Sequence, residues 1–91
     1  STLVLTGAAP PSNTCTYVSG NWNINLADQC NFTTSVSAGA SNITFNGTTG
    51  YATFQNTTND IVFTAAKFIW QGTNSVYLWF KTNTWFNGTM N

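Results

Sequence analysis

The strongest constraint on this fold is a repeated alternation of apolar and polar residues. From Asn21 to Leu26 the apolar Trp22, Ile24 and Leu26 alternate with Asn21, Asn23 and Asn25. Further on, Phe32, Thr34, Val36 and Ala38 are opposed by Asn31, Thr33, Ser35 and Ser37, and Ile43 and Phe45 by Asn42, Thr44 and Asn46. A period of two sends one set of side chains to a core and the other to solvent, the pattern of half-buried strands rather than of an amphipathic helix.

Further strands are predicted over Cys15 to Ser19, Tyr51 to Gln55, Ser75 to Lys81 and Thr84 to Phe86. Ile61 to Trp70 is apolar on both faces, which predicts a central strand bent near Ala65-Ala66; a helix is the alternative, because Ala-Ala-Lys-Phe tolerates one. Asn46-Gly47 opens a Gly-rich loop ending at Gly50, with hairpin chemistry. Seven or eight short strands at spacings of roughly ten residues, with no internal repeat apparent, predict an all-β fold: a single β-sandwich or jelly-roll-like domain over residues 13–91.

Charge narrows the function classes. The charged side chains are Asp28, Asp60, Lys67 and Lys81, with no Glu, Arg or His among 91 residues. Such a chain has almost nothing to titrate between strongly acidic and neutral pH, so its stability is expected to depend little on pH there. It offers no basic patch for nucleic acid and no charge run for an anionic membrane. Without His the usual catalytic triads fail. Asp28 and Asp60 sit in turn contexts where backbone capping explains them better than a two-carboxylate glycosidase does. Lys67 or Lys81 with an Asn and a nearby Asp supply the residue types of an internal isopeptide bond, but ordinary exposed lysines are the favoured reading. The expectation is a protein that is not an enzyme and has no cofactor and no metal.

Solubility of a nearly neutral, 42% hydrophobic chain calls for another source. Five N-glycosylation acceptor sequences supply one, at Asn31, Asn42, Asn46, Asn56 and Asn87, each in a predicted loop or on the polar face of its strand. Cys15 and Cys30, an even pair in a small extracellular-looking chain, read as one disulfide, with a pair of buried free thiols as the alternative. The aromatics Trp22, Trp70, Trp79, Trp85, Tyr17, Tyr51 and Tyr77 fit either core and interface packing or a sugar-stacking platform.

The opening residues Ser1 to Ser12 stand apart. Thr2, Leu3, Val4, Leu5 and Thr6 read as a short strand, followed by Gly7-Ala8-Ala9 and the hinge Pro10-Pro11. Two prolines favour an extended spacer and cannot continue a ladder, so the strand is presented to some other sheet. A strand donated to a neighbouring copy brings backbone hydrogen bonds, with alternate side chains dropping into pockets. Head-to-tail donation does not close on itself and builds a filament. The ordinary alternative is that Thr2 to Thr6 is the first strand of its own domain. The acceptor groove is expected beside Ile61 to Trp70 and Ser75 to Lys81, whose second apolar faces lack cover. The start at Ser1 rather than Met is read as a mature form whose export signal has been removed, and no apolar run approaches the roughly twenty residues of a membrane span.

In layout, the detachable Leu3-Val4-Leu5 strand, the Pro-Pro hinge, the near absence of charge, the Cys15/Cys30 pair and the five acceptor sequences resemble subunits of the archaeal extracellular filaments called threads, from thermoacidophiles. The resemblance covers the whole chain and rests on composition and arrangement rather than on a signature motif. It implies β-sandwich heads linked by N-terminal donor strands into a cell-surface homopolymer coated with N-glycans, acid tolerance as the sense of the missing charges, and a role in adhesion, biofilm or cell contact, with surface glycans as a further partner. The rival readings are a secreted, lectin-like carbohydrate-binding module using exposed Trp and Tyr, and a fungal or viral secreted surface protein that shares the composition without the donor strand.

Overall fold

From Trp22 onward the alternating segments form strands. A computed structural model describes residues 13–91, so the expected donor strand Thr2 to Thr6 and the hinge Pro10-Pro11 lie outside the described residues. The strands are β1 (Trp22–Asn25), β2 (Asn31–Phe32), β3 (Val36–Ser37), β4 (Asn42–Gly47), β5 (Tyr51–Phe54), β6 (Ile61–Gly72), β7 (Tyr77–Phe80) and β8 (Thr84–Met90), with a 3-10 turn at Leu26–Asp28. The alternation is obeyed at Trp22, Ile24, Leu26, Phe32, Ala38, Ile43 and Phe45, which are buried, and at Asn21, Asn23 and Asn31, which are exposed. The run predicted from Phe32 to Ala38 is broken between β2 and β3, where Thr34, expected inward, is exposed and Val36 is half-buried.

The all-β expectation holds, but the strands are not joined as hairpins. Every ladder among the described residues is parallel: β1 with β4, β2 with β5, β3 with β6, β4 with β6, β5 with β7 and β6 with β8. Paired residues lie 21 to 27 positions apart, as in Trp22 with Ile43 and Val36 with Phe63. The chain therefore winds as a solenoid of three stacked coils, each laid on the one before it, instead of folding into an antiparallel sandwich or jelly roll. A structural repeat is thus present where none is apparent in the sequence. Asn46-Gly47 does not make a hairpin, because β4 and β5 belong to different sheets.

The corners follow from local chemistry. Asn25 caps the 3-10 turn by accepting from the Ala27 N–H, and Gln29 takes left-handed backbone at its end. The predicted bend at Ala65-Ala66 is where the β6–β8 register shifts between Thr64 and Lys67, so the long strand β6 rounds a corner. Opposite it, a Cβ on Gly88 would overlap the Ala65 carbonyl oxygen, and only glycine lets β8 follow the same corner. Cys15 to Ser19 does not form a strand; it lies as bends over the first coil.

Stacking makes the core columnar. Trp22, Ile43 and Phe68 form one inward column and Ile24, Phe45 and Trp70 a second. Phe32, Phe54 and Phe80 form a third, with ring centroids 5.1 and 4.9 Å apart. Phe63 sits among them, 5.2 Å from Phe32, 5.3 Å from Phe54 and 6.0 Å from Trp22. Aromatic rings dominate because few residues must fill the whole interior of each coil.

Candidate functional site

The two ends of the solenoid differ. At the first coil the segment after Asn13 acts as a lid. The Trp22 indole N–H donates to the Thr14 carbonyl (2.7 Å), the Asn25 N–H donates to the Thr14 hydroxyl (2.7 Å), and the Thr14 N–H and hydroxyl both donate to Asp28 (2.8 Å each). Tyr17 lies on Trp22 with centroids 5.5 Å apart. The Cys15–Cys30 disulfide fixes this lid to the core, as the pairing of the two cysteines predicted. Asp28 is thus occupied by holding the lid through Thr14, while Asn25 caps the turn in which Asp28 stands.

The last coil has no such cover among the described residues. Its effect shows within single columns: Phe32 is 5% exposed and Phe54 0%, yet Phe80 is 47% exposed; Ile24 is 0% and Phe45 3%, yet Trp70 is 44%. These side chains face inward, and their exposure comes from the missing next layer. Phe68 stays buried because β8 continues past the corner, where Met90 pairs with Phe68 and the Asn91 N–H donates to its carbonyl (2.9 Å).

Between these groups lies an apolar cleft of about 70 Å³ lined by Phe45, Phe68, Trp70, Leu78, Phe86 and Met90. Beside it the outer edges of Ile69–Gly72, of β7 and of β8 have no ladder partner among the described residues. Unpaired strand edges next to exposed apolar side chains are the features that template addition of another strand. The expected groove segments contribute Phe68, Ile69, Trp70 and Leu78 to this cleft. Phe45, Phe86 and Met90 were not expected there. They come from two strands, Phe45 from β4 and Phe86 and Met90 from β8, and only the coil spacing brings them together.

A second concavity, of about 430 Å³, runs along the first coil between Cys15–Tyr17 and Asn31–Ser37. Its lining is largely hydroxyl and amide. On the outer wall of β5 and β7, Tyr51 stacks on Tyr77 (5.1 Å, 5° between planes), Trp79 lies 6.5 Å from Tyr51, and Lys81 Nζ sits 4.1 Å above the Trp79 ring. Trp85 projects from β8, 61% exposed.

The acceptor asparagines are dispersed. Asn31 and Asn87 are exposed on strands, Asn42 and Asn46 are half-buried on β4, and Asn56 is half-buried in the loop after β5. Among the described residues, no three His, Cys, Asp or Glu side chains group as metal ligands, and no helix is long and apolar enough to cross a membrane. Asp60 is exposed in a loop, and Lys67 is exposed on β6. No family model, curated protein or solved structure was found to match the chain.

Proposed function

We propose that the chain is a structural subunit of an extracellular surface filament, in which Thr2 to Thr6 of one copy adds to the neighbouring copy as a further strand. The observation that carries this reading is the uncovered last coil, where inward-facing Trp70 and Phe80 are left exposed beside unpaired edges while the first coil carries its own disulfide-fastened lid. Stacked-coil proteins need polar caps at both ends to stay dispersed, and an uncapped end calls for a partner. Donor and acceptor then lie at opposite ends of the stack, since Asn13 enters at the lid. That geometry propagates head to tail without closing. The disulfide fits an oxidising, extracellular setting.

Negative-stain microscopy of the full chain and of a chain lacking residues 1–9 tests the proposal. Filaments are expected from the first and dispersed particles from the second; dispersed full-length particles under the same conditions would sink it. A synthetic Ser1–Ala9 peptide should also raise the melting temperature of the truncated chain.

The second reading, a secreted carbohydrate-binding module, draws on the Tyr51, Tyr77 and Trp79 surface, where flat rings are offered on an outer wall. It predicts glycan binding that survives deletion of residues 1–9 and fails in Trp79→Ala.

A further inference from the structure

The five acceptor sequences look alike in the sequence but differ in what their amides do. N-glycosylation replaces one of the two hydrogens on the side-chain nitrogen of Asn with a bulky sugar, so the amide must be reachable from solvent and not packed against neighbouring backbone.

Asn56 holds three coils together at one corner. Its Nδ2 donates to the Thr33 carbonyl of the first coil (2.8 Å). Its Oδ1 accepts from the N–H groups of Thr58 and Asn59 (2.8 Å each), which shapes the loop it stands in. Its backbone N–H donates to the Thr82 hydroxyl of the last coil (2.7 Å), which in turn donates to the Asn56 carbonyl (2.9 Å). A sugar on Nδ2 would project toward the Thr33 backbone.

Asn46 stands in an outward column between Asn25 and Gln71, and its Nδ2 donates to Asn23 Oδ1 on the preceding coil. Stacked side-chain amides of this kind bond from strand to strand and reinforce the ladder beneath them. By contrast, Asn31 and Asn87 are exposed, and neither side-chain amide has a hydrogen-bond partner among the described residues. Asn31 stands on the outer edge of β2, and Asn87 tops an outward column over Ser37 and Thr64.

We infer that four of the five acceptor sequences divide by role: Asn31 and Asn87 carry N-linked oligosaccharide, whereas the amides of Asn46 and Asn56 stay unmodified and clamp adjacent coils. The division separates coating from cohesion. Glycans at Asn31 and Asn87 stand on outer walls and leave the cleft at the last coil clear.

The test uses the full chain secreted from a glycosylating host, with glycopeptide mass spectrometry and thermal melting. Thr33→Ala and Thr89→Ala, which remove an acceptor sequence without touching its Asn, should each lose the mass of one glycan. Thr48→Ala and Thr58→Ala should lose none. Asn46→Gln and Asn56→Gln should lower the melting temperature in unglycosylated material, and Asn31→Gln and Asn87→Gln should leave it within a degree or two. Glycan on Asn46 or Asn56 at an occupancy matching Asn31 and Asn87 would overturn the inference. So would bare Asn31 and Asn87, or equal melting temperatures across the four Gln variants.

Discussion

Cys15 and Cys30 join the lid to the first coil, closing a loop of sequence separation 15 at the point where Cys30 enters the core. Removing the bond should release more than a loop, because Thr14 and Tyr17 cover Trp22 from the same segment. The double variant Cys15→Ser, Cys30→Ser is expected to lose about 3 kcal/mol, the chain-entropy value for a loop of this length. A lower urea midpoint together with a red shift of the Trp22 fluorescence would show both effects. An unchanged midpoint would mean that the lid holds without its fastening.

Gly50 packs where no side chain fits. Its φ of +93° is costly for any other residue, and a Cβ there would overlap the Leu26 carbonyl oxygen at the corner of the coil below. Gly50→Ala should therefore cost about 1–3 kcal/mol, from backbone strain and displacement of the Leu26 turn together. Gly39 also has positive φ but has open space around it, so Gly39→Ala carries the backbone penalty alone. Thermal melts of the two variants should rank them in that order.

Much of the secondary structure was legible because alternation reports which residues face a core. The inward residues from Trp22 to Phe45 follow from it directly except at Thr34, where a corner between β2 and β3 interrupts the period and leaves the side chain exposed. The partner of each strand was not legible. A parallel coil with one wetted face has the same period of two as an antiparallel sandwich strand, so Ile43 and Phe45 read alike in either fold. The repeat was hidden for a related reason: a column such as Val36, Phe63 and Phe86 requires only apolar residues, and coils of unequal length put its members 27 and 23 positions apart. The corner role of Asn56 was masked by its own motif, since Asn-Thr-Thr serves as an acceptor sequence and as a turn former with the same three residues. Of the candidate cleft, Trp70 and Leu78 fell within the doubly apolar stretches, whereas Met90 carried no signal beyond being apolar.

Columns also predict how core substitutions should rank. Phe63 is fully buried and its ring meets those of Trp22, Phe32, Phe54 and Phe86. Phe63→Ala should cost about 3–5 kcal/mol, a large fraction of the stability of a domain this size. Phe80 has Phe54 on one side and no layer on the other, so Phe80→Ala in the isolated subunit should cost much less. Denaturant midpoints give the ranking. Equal losses would mean that the last coil is covered in solution.

Covering the last coil has its own signature, because the exposed aromatics there face two directions. Trp70 and Phe80 lie at the end of inward columns, while Trp79 and Trp85 stand on outer walls. If copies join at the end of the stack, Trp70→Thr and Phe80→Thr should reduce association in sedimentation velocity by at least about tenfold, the effect of losing about 1.4 kcal/mol of apolar burial. Trp79→Thr and Trp85→Thr should leave association unchanged. The chain has two Lys and two Asp, and the cleft is lined by apolar side chains and Asn91, so the association should not weaken as salt is raised from about 0.05 to 0.5 M, a range that strongly screens exposed charges. Loss of association in the outer-wall variants with none in Trp70→Thr or Phe80→Thr would move the contact surface from the end of the solenoid to its side, where the carbohydrate-binding reading places its ligand.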